Sequence, residues 1–305
     1  MRHAPHPFSL RQLQYAVAVA ETLSFRKAAA SCAVSQPALS AQLAQLEAAL
    51  GAVLFERGHG RVLLTAAGET LLPRARRLLV EADDLAEAAR LLGEPLSGTL
   101  RLGVIPTVAP YLLPRVTPLV RRKLPKLMLA WSEEKTADLV VSLQAGNLDA
   151  AVVALEAEVG DVEHAVLARD PFVVAAPADH PLSKGRGPVH LSELRDEDVL
   201  LLDEGHCFRD QALAFCQRAH VHELEFRATS LATLAQMVAG GAGVTLLPEL
   251  AAPTERRAAN LTLRPLATSP ARTLALIWRK GSPLAESLRK LAQLMKDAYP
   301  QSASR

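Results

Sequence analysis

From Thr99 to the C-terminus, strand-like and helix-like segments take turns, and this alternation limits the possible folds more than any other feature. Apolar runs at 99–105 (TLRLGVI), 127–131 (LMLAW), 150–155 (AAVVAL), 172–177 (FVVAAP), 199–203 (VLLLD), 225–229 (EFRAT), 244–248 (VTLLP) and 273–278 (TLALIW) read as strands. Helical spacing predicts helices near 110–122, 136–146, 207–219, 230–240 and 283–297. Alternation of this kind implies an α/β body of parallel sheets with helices on both faces. We expect two lobes, 99–170 with 271–300 and 171–270, with the chain crossing between them. Folds of this type bind small molecules in the crevice at the carboxyl ends of the strands.

The first 65 residues follow another rule. Leu10, Leu13, Val17 and Ala20 recur at helical spacing, so 9–21 reads as a helix. A second starts at about Ser24. After a short break comes SQPALSAQLAQLEAALG, with Ser35 as N-cap, Pro37 in the first turn and Gly51 closing it. Leu39, Leu43, Leu46 and Leu50 form its apolar stripe. This is an all-α helix-turn-helix pattern, and LFERGHGRVLLT then reads as two strands around a turn carrying Arg57, His59 and Arg61, a wing. Cys32 falls in the second helix as a core residue.

Between the two parts, Leu71, Ala75, Leu78, Ala82, Leu85, Ala89 and Leu92 recur at alternating intervals of four and three. Such a stripe marks a seam between paired helices, so 66–92 reads as a dimerising linker; a helix packed on its own domain has the same signature. Residues 93–98, GEPLSG, read as a hinge to a body at 99–305.

Composition sets further limits. Residues 1–77 carry nine Lys/Arg against four Asp/Glu, a balance of +5, within a chain of net charge +2. A basic head on a slightly acidic body suits a polyanionic partner. No apolar run approaches the ~20 residues that span a bilayer, and MRHAPHPFSLRQL has no apolar leader, so we expect no membrane association and a cytoplasmic location. The three cysteines lack metal-ligand spacing; we expect no metal and no cofactor. GGAG at 240–243 follows a helix rather than a strand, and GxSxG is absent, so nothing here points to an enzyme.

Cys207 and Cys216 lie within GHCFRDQALAFC, nine residues apart. On one helix that is ~13 Å of rise, on opposite faces. A disulfide needs Cα atoms within ~7 Å, so the pair could bond only if the helix unwound. Cys207 follows a strand at a helix start with His206 and Arg209 beside it, a setting that favours thiolate and therefore oxidation to sulfenic acid. Spacing alone nevertheless favours two small buried, inert thiols.

The run AETLSFRKAAASCAVSQPALSAQLAQLEAALGAVLFERGHGRVLLTAAG (20–68) resembles the DNA-binding domain of LysR-type transcriptional regulators. The resemblance implies Ser35, Gln36, Pro37 and Ser40 near base edges, with Arg26, Lys27, Arg57 and Arg61 on phosphates of double-stranded promoter DNA. The exposed face of the third helix (Pro37, Ala38, Ala41, Gln45, Ala48) lacks the Arg or Lys that relatives often carry. Base readout is then sparse, and DNA shape contributes more. The resemblance also implies a two-lobed, periplasmic-binding-protein-like regulatory domain.

IPTVAPYLLP, LLDEGHCFRDQALAFC, FRATSLATLAQMVAGGAGVTLLP and RTLALIWRKGSPL resemble the hydrogen-peroxide-sensing members of that family over nearly the whole chain. That resemblance implies Cys207 as the peroxidatic cysteine, Cys216 as the resolving one, and a peroxide pocket involving Thr107, Thr136, His206, Arg209, Asp210 and Arg272. It further implies a homo-oligomer, a dimer through the linker helix and a tetramer through the regulatory domains, acting on RNA polymerase at promoters. A LysR-type metabolite sensor with inert cysteines is one rival reading. A thiol peroxidase or reductase with an unrelated N-terminal module is the other.

Overall fold

The computed structural model describes residues 6–58, 61–93, 96–219 and 221–300, which fall into two compact units, Met1–Arg90 and Leu91–Arg305.

In the first unit, α1 (Leu10–Thr22) starts from a capping box: Ser9 Oγ accepts from Gln12 N–H and Gln12 Oε1 accepts from Ser9 N–H. Ser24 caps α2 (Phe25–Ser31) and Ser35 caps α3 (Gln36–Leu50), which Gly51 ends at φ +65°. The side of α1 that packs inward is Leu13, Tyr15, Ala16 and Val19, with Leu10 exposed, so the expected stripe is rotated toward its i+3, i+6 members. Leu39, Leu43 and Leu46 fill the core as expected. Strands β1 (Phe55–Gly58) and β2 (Arg61–Leu64) pair antiparallel to form the wing. His59 and the side chains of Arg57 and Arg61 lie outside the described residues.

α4 (Ala66–Gly93) enters this core through Leu72 and Ala75, with Leu71 and Leu79 packed beside them. The lower end of the heptad stripe therefore serves its own domain. Farther along, Leu78 (49%) and Leu85 (73%) are exposed. The side chain of Leu92 and hinge residues 94–95 are outside the described residues.

The second unit is built on β3 (Gly98–Val104), α5 (Ala109–Lys123), β4 (Leu127–Glu133), α6 (Thr136–Gln144), β5 (Ala150–Ala154) and the long β6 (Val162–Ala176). There follow α7 (Pro181–Lys184), β7 (Asp198–Leu202), α8 (Cys207–Ala219), β8 (His222–Ala228), α9 (Leu231–Ala239) and β9 (Val244–Pro248). The unit ends with α10 (Ala252–Ala259), β10 (Thr262–Pro265), β11 (Ala271–Arg279) and α11 (Ala285–Ala298).

Strand order is β4-β3-β5-β11-β6-β9-β7-β8, with β10 on β6. The outer pairs β3/β4, β3/β5, β7/β8 and β7/β9 are parallel, but β11 runs antiparallel to β5 and β6, and β9 and β10 antiparallel to β6. The purely parallel expectation is corrected there. β6 pairs with β11 as far as Pro171 and with β9 from Phe172 onward, so one strand carries the chain from one half of the sheet to the other. A strand that leaves one half and another that returns to it must run against their neighbours.

Candidate thiol site and nucleic-acid interface

β7 delivers the chain to the thiol. After Leu202, Asp203 N–H bonds Ala228 O, Gly205 turns at φ +84°, and Arg209 N–H donates to His206 O to open α8 at Cys207. A side chain at Gly205 would meet that of Lys135, and its φ is one that glycine adopts freely. Lys135 lies just before α6 and donates Nζ–H to Glu204 O at 2.6 Å, so the starts of α6 and α8 are tied together.

Cys207 and Cys216 are both free thiols on α8, the first half-buried and the second buried. Their separation along the helix axis is ~13 Å, and no bond can form while α8 is intact. Burial pushes the Cys216 thiol up to about 12, with Glu223 adding to the effect. Burial raises Cys207 as well; Arg272, the Thr136 hydroxyl and Phe208 N–H draw it back down, and Asp210 opposes them.

The sequence reading of the thiolate's surroundings needs correcting. Arg209 is two residues along the helix from Cys207, and residues so spaced do not face each other. Its guanidinium pairs with Glu223 at 2.7 Å, on β8, and it does not line the Cys207 cavity. His206 is buried, and burial followed by the Lys135 charge holds its imidazole below the usual range, hence neutral at pH 7. The cation that serves Cys207 is Arg272, from β11.

Arg272 is 0% exposed. Its Nε donates to Asp170 Oδ2 at 2.9 Å, Nη1 to Thr107 Oγ1 at 2.7 Å and Nη2 to Thr107 O at 3.2 Å, and its plane lies over the Phe208 ring at 5.6 Å. Asp170, also 0% exposed, accepts Leu250 N–H on its other oxygen at 2.9 Å. A buried charge pair is tolerable only when further hydrogen bonds support it, and here each guanidinium nitrogen and both carboxylate oxygens have a partner.

Cys207, Thr136, Asp210 and Gln211 line an open cavity of about 710 Å³, with Glu156 and Glu158 also on its lining. On the cavity lining, Thr136 Oγ1 and both amide atoms of Gln211 are buried without a hydrogen-bond partner at good geometry, as is Nε2 of His206, the residue before Cys207. Unsatisfied polar atoms at one spot in a folded core mark a place for a small hydrogen-bonding molecule.

The structure therefore brings together Cys207, Thr136, Arg272 and, through the guanidinium, Thr107, with His206 buried next to Cys207 in the chain but outside the cavity lining; Asp210 stands exposed on the cavity rim. Sequence reasoning missed Asp170, Lys135 and Gln211. Gln211 was readable: it is four residues beyond Cys207 on the same helical face. Asp170 had no local signal, because it meets Arg272 only in the β6/β11 register.

On the first unit, Arg26 and Lys27 are exposed on α2, and Ser35, Gln36 and Pro37 at the start of α3, with Ser40 half-buried behind them. Ser35 Oγ caps Ala38 N–H at 3.3 Å, which leaves its hydroxyl proton for a partner outside the protein. Cys32 packs against the core at the end of α2.

Residues 10–69 match the bacterial regulatory helix-turn-helix protein family, lysR type, and residues 93–300 match the LysR substrate binding domain. The chain is 43% identical over 290 residues to the DNA-binding transcriptional dual regulator OxyR of Escherichia coli, covering 94% of this chain and 95% of that one. A full-length cysteine-to-aspartate OxyR variant from Pseudomonas aeruginosa superposes with a TM-score of 0.80 at 35% identity, over 99% of this chain and 100% of the other. A cysteine-to-serine OxyR variant from Corynebacterium glutamicum, bound to hydrogen peroxide, gives 0.66 at 35% identity over 98% and 94%. With matching domains at both ends, in the expected order and over nearly its whole length, the chain belongs to the LysR family of bacterial helix-turn-helix regulators.

Proposed function

We propose that the chain is a hydrogen-peroxide-sensing transcriptional regulator of oxidative-stress genes, switched at Cys207. The observation that carries this reading is the meeting of a half-buried thiol, a fully buried arginine, the Thr136 hydroxyl and the unpartnered Gln211 amide at the start of a helix that also holds a second thiol. The Cys207 thiolate attacks one peroxide oxygen and the O–O bond breaks. Cysteine becomes sulfenic acid, and the departing hydroxide takes a proton to leave as water. Thr107, Thr136 and neutral His206 supply donors and acceptors for the two oxygens, and Arg272 stabilises the charge on sulfur and on the leaving hydroxide. Asp210 borders the approach, and Arg209 acts through its tie to Glu223.

Cys216 then displaces water from the sulfenic acid to form the disulfide. The thiol pair is oxidised by two electrons and one peroxide becomes two waters. Since the bond requires Cα atoms within ~7 Å, α8 must unwind, the Arg209–Glu223 pair must part, and two stable forms of the regulatory domain result. Without an external reductant the chemistry stops at the disulfide, and the lasting oxidised form is the signal rather than a catalytic product.

In this reading 1–65 binds promoter DNA, with Ser35, Gln36, Pro37 and Ser40 facing bases and Arg26, Lys27, Arg57 and Arg61 on phosphates. The exposed Leu78 and Leu85 pair two linker helices across 66–92. The hinge 93–98 leads to lobes 99–170 with 271–300 and 171–270, whose pairing in a tetramer changes on oxidation and alters contact with RNA polymerase in the cytoplasm. Among the described residues no helix is long and apolar enough to cross a membrane. The test is thiol labelling and promoter footprinting on the same sample before and after peroxide. Reading and protein fit if Cys207 is oxidised and the footprint changes together.

The cavity at Cys207 is larger than peroxide needs, which favours one second reading, a metabolite sensor with inert cysteines. In that case both thiols stay reduced under sub-stoichiometric peroxide.

A further inference from the structure

A second cavity, of about 480 Å³, lies between the start of α5, the segment leading into α10 and the end of α11. It shares no lining residue with the Cys207 cavity. Its size falls in the roughly 300–1,000 Å³ range of small-molecule sites. The walls are about evenly polar and apolar, with Pro110, Pro114, Leu250 and Pro253 forming the apolar part. Tyr111, on the same wall, spends its hydroxyl on the buried Glu255 at 2.8 Å.

Two exposed arginines, Arg115 and Arg257, stand on the lining against one carboxylate, Glu249. Among the described residues neither arginine forms an ion pair; Arg257 Nε donates to the Pro253 carbonyl at 3.3 Å and has its remaining donors for another group. A chamber with a patch of proline and leucine on one side and two guanidinium groups against one carboxylate on the other suits a ligand with an apolar body and one carboxylate.

The chamber is also wired to the thiol. Tyr299, on its wall, lies near enough to Asp170 for that carboxylate to help burial raise its pKa, and Leu250, also on the wall, donates its N–H to Asp170 Oδ1 at 2.9 Å. The other Asp170 oxygen holds Arg272 at 2.9 Å, and Arg272 is the cation beside Cys207. Anything that shifts Tyr299 or the Leu250 backbone shifts the anchor of that guanidinium.

We propose that this cavity is a second ligand site, taking a small monocarboxylic acid with an aryl or branched apolar body, and that its occupancy tunes the reactivity of Cys207 through Tyr299, Asp170 and Arg272. The coupling rests on Cys207 being the peroxide-reactive thiol; the binding does not. Linkage makes the effect reciprocal, so reduced and oxidised protein bind the acid with different affinity.

The test uses full-length protein with phenylacetate as probe and phenylacetamide as its uncharged counterpart. Calorimetry on the Cys207→Ser variant reads binding apart from any redox chemistry. The expected result is saturable binding of one phenylacetate per chain, weakened ~10-fold or more in the amide and in the Arg115→Gln/Arg257→Gln double variant. Stopped-flow oxidation of the unsubstituted protein then reads coupling: phenylacetate changes the rate severalfold, and Tyr299→Phe binds phenylacetate but loses the rate change. Absent binding, equal binding of the amide, or binding unaltered in the double variant overturns the site. Binding without a rate change overturns the coupling. A Cys207 that ignores peroxide while phenylacetate still binds contradicts the peroxide reading and leaves the site standing.

Discussion

Asp170 and Arg272 face each other across β6 and β11, both 0% exposed and 2.9 Å apart, and between them they join the two halves of the sheet to the thiol. Removing one member of a buried pair leaves the other charge stranded, at a cost of about 3–5 kcal/mol. Asp170→Asn is expected to lose stability of that order in urea unfolding and to slow oxidation of Cys207. Replacing both by apolar residues, Asp170→Leu with Arg272→Met, should recover much of the stability but none of the reactivity. Recovery of both would mean that Arg272 does nothing for the thiol.

Cys216 carries a pH signature. Its thiol pKa is raised from 9.0 to about 12 in the folded protein, so the native state holds a proton that the unfolded chain has released. Stability from this group is intact below pH 9 and falls as pH rises from about 9 to about 12, by roughly 1.4 kcal/mol per pH unit at most. Urea midpoints of the reduced protein between pH 8 and pH 10 should fall more steeply than those of Cys216→Ala. Parallel curves would show that the thiol is not shielded as described.

Cys207 behaves differently in kinetics. Its pKa lies above the ordinary thiol value, so the thiolate fraction at neutral pH is small and the oxidation rate climbs with pH without a plateau near 7. Arg272→Gln takes away the main group that pulls this pKa down and should move the rise to higher pH. The check is a pH–rate profile by stopped flow.

The Arg209–Glu223 pair ties α8 to β8 and is partly screened by solvent, with Glu223 38% exposed, so its contribution is about 0.5–1 kcal/mol. Glu223→Gln is expected to leave sulfenic acid formation at Cys207 unchanged and to speed the following disulfide step by roughly threefold. Rapid-quench trapping with a sulfenic-acid probe separates the two steps. An equal effect on both would place Arg209 at the peroxide itself.

On the DNA-binding unit, Arg26→Ala and Lys27→Ala should each lower the salt-dependence slope of promoter binding by about one unit while weakening all sequences alike. Gln36→Ala should instead flatten discrimination between promoter and non-promoter DNA, measured by fluorescence anisotropy.

Much of this molecule was legible in its sequence, where the signal is local. Ser24 and Ser35 cap helices because a short side-chain oxygen satisfies free N–H groups wherever the chain offers it, and Leu39, Leu43 and Leu46 keep their stripe; sequence reasoning missed the cap at Ser9. Residues 162–171 of β6 mix charged and apolar side chains on a half-exposed strand, so their pattern is that of a loop. Strand β10, four residues long, is too short for periodicity. At the thiol, adjacency misled: Arg209 is near Cys207 in sequence but turned away by the helix, whereas Arg272, 65 positions later, reaches it. The buried cation and its carboxylate are 102 residues apart, and only strand register brings them together.

The central claim is that Cys207 and Cys216, held apart by an intact α8, are the pair that peroxide joins. Peptide mapping by mass spectrometry of the full-length protein, after one equivalent of hydrogen peroxide and rapid alkylation, tests it most directly. The account predicts a Cys207–Cys216 disulfide, with Cys32 alkylated as a free thiol. Cys207 and Cys216 both recovered as free thiols, or oxidation found at Cys32 instead, would contradict it.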